Sequence, residues 1–291
     1  MDNLHNVVVF HNPGAGDAAH EKDELIALLK GAGYKAQYYS TKKDWKDADV
    51  KNADLIVVGG GDGTVRKIAG WLLENDLLKL KIPVTILPLG TANNLSKTLS
   101  ISGETKQLIA QWKNWSAQPY DIGHVTTNAA ELKGKTTFDD DPEKKIAADL
   151  ERLRLTLRDT RPSKTTVTID GETIVDDFLL VEVMNSRHLG TNLDFNPVQH
   201  SGDGKFQVVM VNSSEKNFLD EFILEHINHS SKHIRFTTVH GNEISISSQS
   251  HLYHLDDQLY NVEGEAPLHV KAYMDQIHFL SPVGKNTNTR G

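Results

Sequence analysis

The chain has 291 residues, enough for one large domain or two ordinary ones. Its apolar fraction of 38% and charged fraction of 24% are those of a soluble globular protein, and a formal charge of −8 argues against a nucleic-acid partner, which demands a basic face. There is no cysteine, which excludes disulfides, thiolate metal ligands and a thiol nucleophile. With no apolar run of spanning length and no basic-plus-apolar leader, the expected location is the cytoplasm.

Residues 1–125 alternate strand and helix. Asn6 to Phe10 reads as a strand, and Glu21 to Lys30 as an amphipathic helix with Leu25, Ile26, Leu28 and Leu29 on one side. Strands are expected at Tyr34 to Ser40, Asp54 to Val58 and Ile82 to Leu87, and helices at Thr64 to Glu74 and Glu104 to Trp115. Such a rhythm implies a parallel sheet with helices on both faces and ligands outside the carboxyl ends of its strands. After Thr126 the pattern changes. Asn128 to Asp141 reads as a polar loop and Pro142 to Arg158 as a charged helix. Alternating strands follow at Lys164 to Asp170, Thr173 to Met184, Phe206 to Val211, Ile234 to Val239 and Ile244 to Ser248. A helix at Phe218 to Ile227 interrupts them, and short strands close the chain at Leu259 to Val262, Leu268 to Ala272 and Gln276 to Leu280. Asp170-Gly171 reads as a hairpin turn. The expected organisation is an α/β domain over 1–125, a β-rich antiparallel, sandwich-like domain over 126–284, and a polar tail over 285–291.

The run Val57-Val58-Gly59-Gly60-Gly61-Asp62-Gly63-Thr64-Val65 carries the most chemistry. An apolar strand enters a glycine turn, and a helix follows at once. Glycines let a ligand approach the main chain, and amides converging ahead of a helix suit phosphate. Asp62 is the anomaly, because an anion beside a phosphate costs about 4 kcal/mol at 4 Å and an effective dielectric of 20. A divalent cation or a catalytic role would offset that cost. The run lacks the Lys-Ser/Thr ending of a P-loop and the spacing of a dinucleotide fingerprint. A second cluster, Pro88-Leu89-Gly90-Thr91-Ala92-Asn93-Asn94, also follows a strand and opens a helical stretch, and Phe10-His11-Asn12-Pro13-Gly14 follows the first strand. Taken alone, Thr91 and Asn94 read as helix caps and Asn12-Pro13 as an ordinary turn.

Together the three loops resemble the diacylglycerol kinase catalytic domain family, which includes sphingosine and ceramide kinases and bacterial lipid kinases. Gly60-Gly61-Asp62-Gly63-Thr64 is similar to its central motif, Pro88 to Asn93 to its second and Asn12-Pro13 to its first. Met184-Asn185-Ser186, Gly190, Pro197 and Asp203-Gly204 resemble its downstream pattern, and Glu263-Gly264-Glu265 stands where the family carries Asp-Gly-Glu. The resemblance implies an ATP- and Mg²⁺-dependent lipid kinase acting on a lipid alcohol such as diacylglycerol at a membrane surface. It implies that Gly60, Gly61, Gly63 and Thr64 cradle the ATP phosphates and that Asn12, Thr41, Thr91 and Asn94 complete the nucleotide site. Asp62 and Asp121 would engage Mg-ATP, and Glu265 would be the general base. A second, structural Mg²⁺ would lie at Asp203 with His200 and Lys205. Chemistry is expected between the two domains. A homodimer is left open.

Three departures bear on this reading. Glu263 replaces the family's usual Asp, Asn94 stands where many members have Asp, and residues 126–141 are rewritten. The last motivates a second expectation, a catalytically impaired nucleotide-binding regulator on the same fold. A third is a NAD kinase-like enzyme, which shares the Gly-Gly-Asp-Gly core; the Gly-Thr-Ala-Asn continuation favours the lipid branch. Lys144, Lys145, Arg152, Arg154 and Arg158 put positive charge on one helical segment, read as a solvated face. His226, His229 and His233, and His251 and His254, are read as surface residues, since no carboxylate or cysteine frame completes a metal site around them.

Overall fold

Four successive apolar residues, Val7 to Phe10, are all buried, as a strand covered on both faces requires. They belong to β1 (Asn6–His11). There follow α1 (Lys22–Gly31), β2 (Lys35–Ser40), β3 (Leu55–Gly60), α2 (Asp62–Glu74), β4 (Val84–Pro88), α3 (Asn94–Thr98), α4 (Thr105–Gln111) and β5 (Ser116–Thr127). Next come β6 (Leu132–Lys135), α5 (Pro142–Asp159), β7 (Ser163–Ile169), β8 (Glu172–Met184), β9 (His188–Leu189) and β10 (Leu193–Asp194). The chain ends through β11 (Phe206–Asn212), α6 (Lys216–Ile227), β12 (Thr237–Gly241), β13 (Glu243–Ser248), β14 (Leu252–Leu255), β15 (Gln258–Val262) and β16 (Leu268–Ser281). The computed structural model describes residues 5–15, 22–43, 45–127, 132–135, 142–190, 193–195, 202–228, 236–250, 252–255, 258–262 and 266–282.

The chain forms two units, Met1–Tyr120 with Asp275–Gly291, and Asp121–Met274. The division therefore falls at 120/121, where the sequence suggests 125/126, and the end of β16 joins the first unit. In that unit β2, β1, β3 and β4 run parallel in that order, and β16 adds beside β4 through the pair Phe279 and Val84. Leu25 and Leu29 of α1, Ile68 and Leu72 of α2, and Leu108 and Ile109 of α4 are buried. A spacing of four residues puts each of the first two pairs on one helix face. Phe10, Trp45 and Trp71 meet edge to face, with ring centroids 5.4 to 6.4 Å apart. The buried Thr85 hydroxyl donates to the Leu280 carbonyl at 3.0 Å.

The second unit holds an antiparallel sheet in the order β12-β11-β8-β7-β13-β16, and a separate antiparallel sheet β14-β15-β6. β11 is buried on both faces. Val209 and Val211 pack with Leu150 and Leu157 of α5 and Phe222 and Ile223 of α6. Val208 and Met210 turn the other way, into a core with Val167, Phe206, Ile246 and Val270. The two helices are tied by Arg154, whose Nε and Nη2 each donate to Asp220 at 3.0 Å. Asp170 and Gly171 have φ of 48° and 94°, the double left-handed conformation of a type I′ turn, at the hairpin expected from their sequence.

Three expectations need correction. Ser116–Thr127 is a strand, and the helix before it stops at Gln111 and tightens into a 3₁₀ turn over Trp112–Asn114. Pro119 and Gly123 had masked the strand, since both are depleted in strands. Leu132–Lys135, inside the expected polar loop, pairs with β15. The two closing strands are one, Leu268–Ser281, because its central residues Ala272 to Gln276 stay extended without an alternating apolar signal.

Candidate active site

β3 delivers Gly59 and Gly60 between the ends of β1 and β4, pairing with His11 on one side and Pro88 on the other. The loops after β1, β3 and β4 therefore leave the carboxyl edge of the sheet side by side. The Asn12 amide donates to the Gly59 carbonyl at 2.8 Å, and the Leu89 amide donates to the Gly60 carbonyl at 3.2 Å. Each loop is tied to the central one at its root.

The glycines are needed for contact. A Cβ on Gly60 would lie 2.5 Å from the Thr64 hydroxyl, and one on Gly90 would lie 2.4 Å from Gly61 Cα. The central and second loops thus touch backbone to backbone. Asn93 shapes the second loop. It sits at φ 51°, accepts the Gly90 N–H at 3.0 Å and donates to the Gly90 carbonyl at 2.5 Å.

Asp62 joins the two loops. Its Oδ2 accepts the Asn94 amide and its Oδ1 the Leu95 amide, each at 2.9 Å. The sequence posed this carboxylate as an electrostatic anomaly, and two backbone donors at the start of α3 provide part of the compensation. Lys97 on the same short helix adds to it. Burial pulls the Lys97 pKa below the usual lysine range, and the charge of Asp62 opposes that fall. α2 itself starts at Asp62 without a side-chain cap on its first N–H groups, the kind of helix start that suits an anion.

The remaining residues of this expected set lie on the same edge. Asn12 Nδ2 donates to Thr64 Oγ1 at 3.4 Å. Thr41 is buried, its N–H bonded to the His11 carbonyl at 2.8 Å and its carbonyl to Lys67 Nζ at 3.0 Å. Gly63, in the first turn of α2, and Thr91, in the loop after β4, are exposed. Sequence reasoning missed Lys67, whose ammonium also lies 4.8 Å over the Trp45 ring. It also missed the buried His11, whose Nδ1 meets the Tyr38 hydroxyl at 2.8 Å. Lys67 belongs to no motif; His11 stands in the quoted run after β1, where sequence reasoning assigned it no role.

In the second unit Asp121, on β5, is 2% exposed. Its Oδ2 accepts the Gly204 N–H at 2.6 Å, and its backbone carbonyl accepts Asn185 Nδ2 at 2.5 Å. Asp203 Oδ1 takes the Lys205 amide at 3.0 Å, and Gly202 and Gly204 turn the loop at φ 88° and 78°. Asp121, Asn185 and the Asp203-Gly204 turn, dispersed over some eighty residues of sequence, thus form one cluster beside a small recess lined by Ser186, Lys205 and Gln207. Among the described residues no group of three or more His, Asp or Glu gathers as a ready cation cage. Glu263, Glu265, Pro197 and His200 lie outside the described residues, as do His229, His233 and His251. His226 differs from its reading as a surface residue. Its Nε2 accepts the Asp194 N–H at 3.2 Å and its Nδ1 faces the Phe222 carbonyl at 2.9 Å, so it is an internal strut.

Residues 6–125 match the diacylglycerol kinase catalytic domain. A diacylglycerol kinase of Bacillus subtilis strain 168 is 25% identical over 284 residues, covering 88% of each chain. A candidate lipid kinase of Staphylococcus aureus is 38% identical over 80 residues, 28% of this chain and 25% of that protein. The crystal structure of a diacylglycerol kinase from Bacillus anthracis matches the fold with a TM-score of 0.67 at 22% identity, covering 97% of this chain and 98% of that one. A parallel sheet that gathers glycine loops at its carboxyl edge, with this domain match across it, defines a kinase. Over residues 6–125 the chain is similar to the diacylglycerol kinase catalytic domain, and over most of its length to a diacylglycerol kinase. Among the described residues no helix is long and apolar enough to cross a membrane.

Proposed function

We propose that the protein is an ATP- and Mg²⁺-dependent lipid kinase that transfers the γ-phosphoryl group to the hydroxyl of a neutral lipid such as diacylglycerol. The observation that carries this reading is the Asp62 tether, which holds the Gly60-Gly61 and Gly90-Thr91 loops together on one sheet edge. Phosphoryl transfer is mainly positioning and charge neutralisation, and paired loops of backbone donors supply the positioning.

In this reading Gly60, Gly61, Gly63 and Thr64 surround the phosphates, and Asn12, Thr41, Thr91 and Asn94 complete the nucleotide site. The Asp62 carboxylate offers about four lone-pair directions, of which the Asn94 and Leu95 amides take two. The rest suit a hard cation, which commonly takes one or two carboxylates plus phosphate oxygens. Asp62 with the nucleotide, and Asp121 and Asp203 in the second unit, are the groups that would hold Mg²⁺. When bound it would neutralise phosphate charge. Glu265 would accept the proton of the lipid hydroxyl as its oxygen bonds to the γ-phosphorus and the bond to ADP breaks. The first unit would serve the nucleotide and the second the lipid, at a cytoplasmic membrane surface.

The test is transfer from labelled ATP to a panel of lipid alcohols and to NAD, with Glu265→Ala alongside. Labelled lipid phosphate that disappears in the variant is the expected result. Labelled NADP, or ATP binding with no product across the panel, would overturn it.

A further inference from the structure

The residues assigned to the nucleotide site share a deficit of charge. Asn12, Thr41, Gly60, Gly61, Gly63, Thr64, Thr91 and Asn94 are neutral, and Asp62 is an anion. A triphosphate carries about four negative charges, more than one divalent cation offsets. If the kinase reading holds, a protein cation should stand at the same edge, outside the motifs.

Two lysines there are already engaged. Lys67 donates to the Thr41 carbonyl and covers the Trp45 ring. Lys97 lies under the influence of Asp62. Lys42 differs from both. Its backbone is held in place, since the Thr41 N–H bonds the His11 carbonyl at 2.8 Å, the Lys42 N–H bonds Ser40 Oγ at 3.3 Å and the Lys43 N–H bonds the Ser40 carbonyl at 2.9 Å. Its side chain reaches back over the loop after β1. A Cβ on Gly14 would stand 2.6 Å from Lys42 Nζ, 3.2 Å from its Cε and 3.6 Å from Asn12 Oδ1. The bare Gly14 makes room for the ammonium. Among the described residues no acidic side chain pairs with it, although an exposed lysine on an acidic protein has carboxylates to choose from. From there the chain of contacts runs through Asn12 to the Thr64 hydroxyl, in the first turn of α2.

We propose that Lys42 binds the nucleotide's phosphates, supplying at the carboxyl edge of the sheet the positive charge that the motif residues lack. An ammonium on a flexible stem suits this task, because it follows a phosphate as a mobile point charge without a fixed bidentate geometry. The inference rests on the kinase reading and adds to it a residue outside the family motifs.

The experiment titrates the full chain and its Lys42→Met, Lys42→Arg and Lys43→Met variants with a fluorescent ATP analogue, competed by ATP, ADP and adenosine, with thermal unfolding to check each fold. Lys42→Met should weaken ATP and ADP roughly ten- to a hundredfold, the loss of one charge-assisted contact, and leave adenosine unchanged. Lys42→Arg should retain most of the affinity, and Lys43→Met should match the wild type. Equal ATP affinity in Lys42→Met and wild type would overturn the Lys42 assignment while leaving the kinase reading intact. A wild-type chain that binds no nucleotide would overturn both.

Discussion

The carboxylate of Asp62 accepts the backbone N–H of Leu95, 33 residues further along the chain, at 2.9 Å. With the Asn94 N–H on its other oxygen, this side chain performs a structural task whatever else it does. Asp62→Ala should therefore abolish turnover and also destabilise the fold, by about 2–4 kcal/mol for two charge-assisted bonds. Asp62→Asn keeps one acceptor oxygen and should lose about half of that. Urea unfolding read beside phosphoryl transfer separates the two effects. A variant as stable and as active as the wild type would show that the tether is dispensable.

Gly90 and Gly70 make opposite predictions. A Cβ at Gly90 would lie 2.4 Å from Gly61 Cα and 2.9 Å from its nitrogen, both backbone atoms that cannot swing aside. Gly90→Ala should spread the loops, cost about 2 kcal/mol or more and remove nucleotide binding. Gly70 lies inside α2 with nothing within 4 Å of its added Cβ. Gly70→Ala should stabilise by about 0.5–1 kcal/mol through helix propensity and a less flexible unfolded chain. Thermal melts of the two variants give the comparison directly.

The α5–α6 strut predicts a pH dependence. The Arg154 hydrogen bonds, with the charges of Arg154 and Arg158, hold the Asp220 carboxyl below its usual pKa. A carboxyl depressed by folding adds stability above its unfolded value and loses it as pH falls through the folded value. Asp220→Asn should therefore be less stable than wild type at pH 7, by about 1 kcal/mol once its 34% exposure is allowed for. The gap should close on acidification below about pH 4. A gap independent of pH would assign the loss to packing.

Thr85 is fully buried and donates to the Leu280 carbonyl at 3.0 Å, linking β4 to the end of β16 across 195 residues of sequence. Thr85→Val preserves the shape but leaves that carbonyl without its donor, which should cost about 1–2 kcal/mol. Hydrogen exchange should show the loss concentrated at β4 and the end of β16, and a uniform loss would count against it.

The alternating strands and helices of residues 1–125 were legible because each buries a face with its own period. Val7 to Phe10 is a continuous apolar run, and Leu25 with Leu29 repeats at helical spacing. The strand at Ser116–Thr127 was not legible, since its buried residues Tyr120 and Asp121 include a charge that the Gly204 amide helps to make tolerable. The closing strand was read as two for a similar reason. Its centre, Ala272 to Gln276, carries no alternating pattern of its own.

The site divides along the same line. The glycine loops could be found in the sequence, because a backbone that must touch another backbone or a phosphate tolerates few residue types, and those types stand next to one another in the chain. The role of Asp62 as tether, the cluster of Asp121 with Asn185 and Gly204, and the reach of Lys42 over Gly14 were decided by the tertiary structure alone. Each depends on where a side chain ends after the chain has crossed the sheet, and a distance in space of a few ångströms between residues tens of positions apart leaves no local pattern to read.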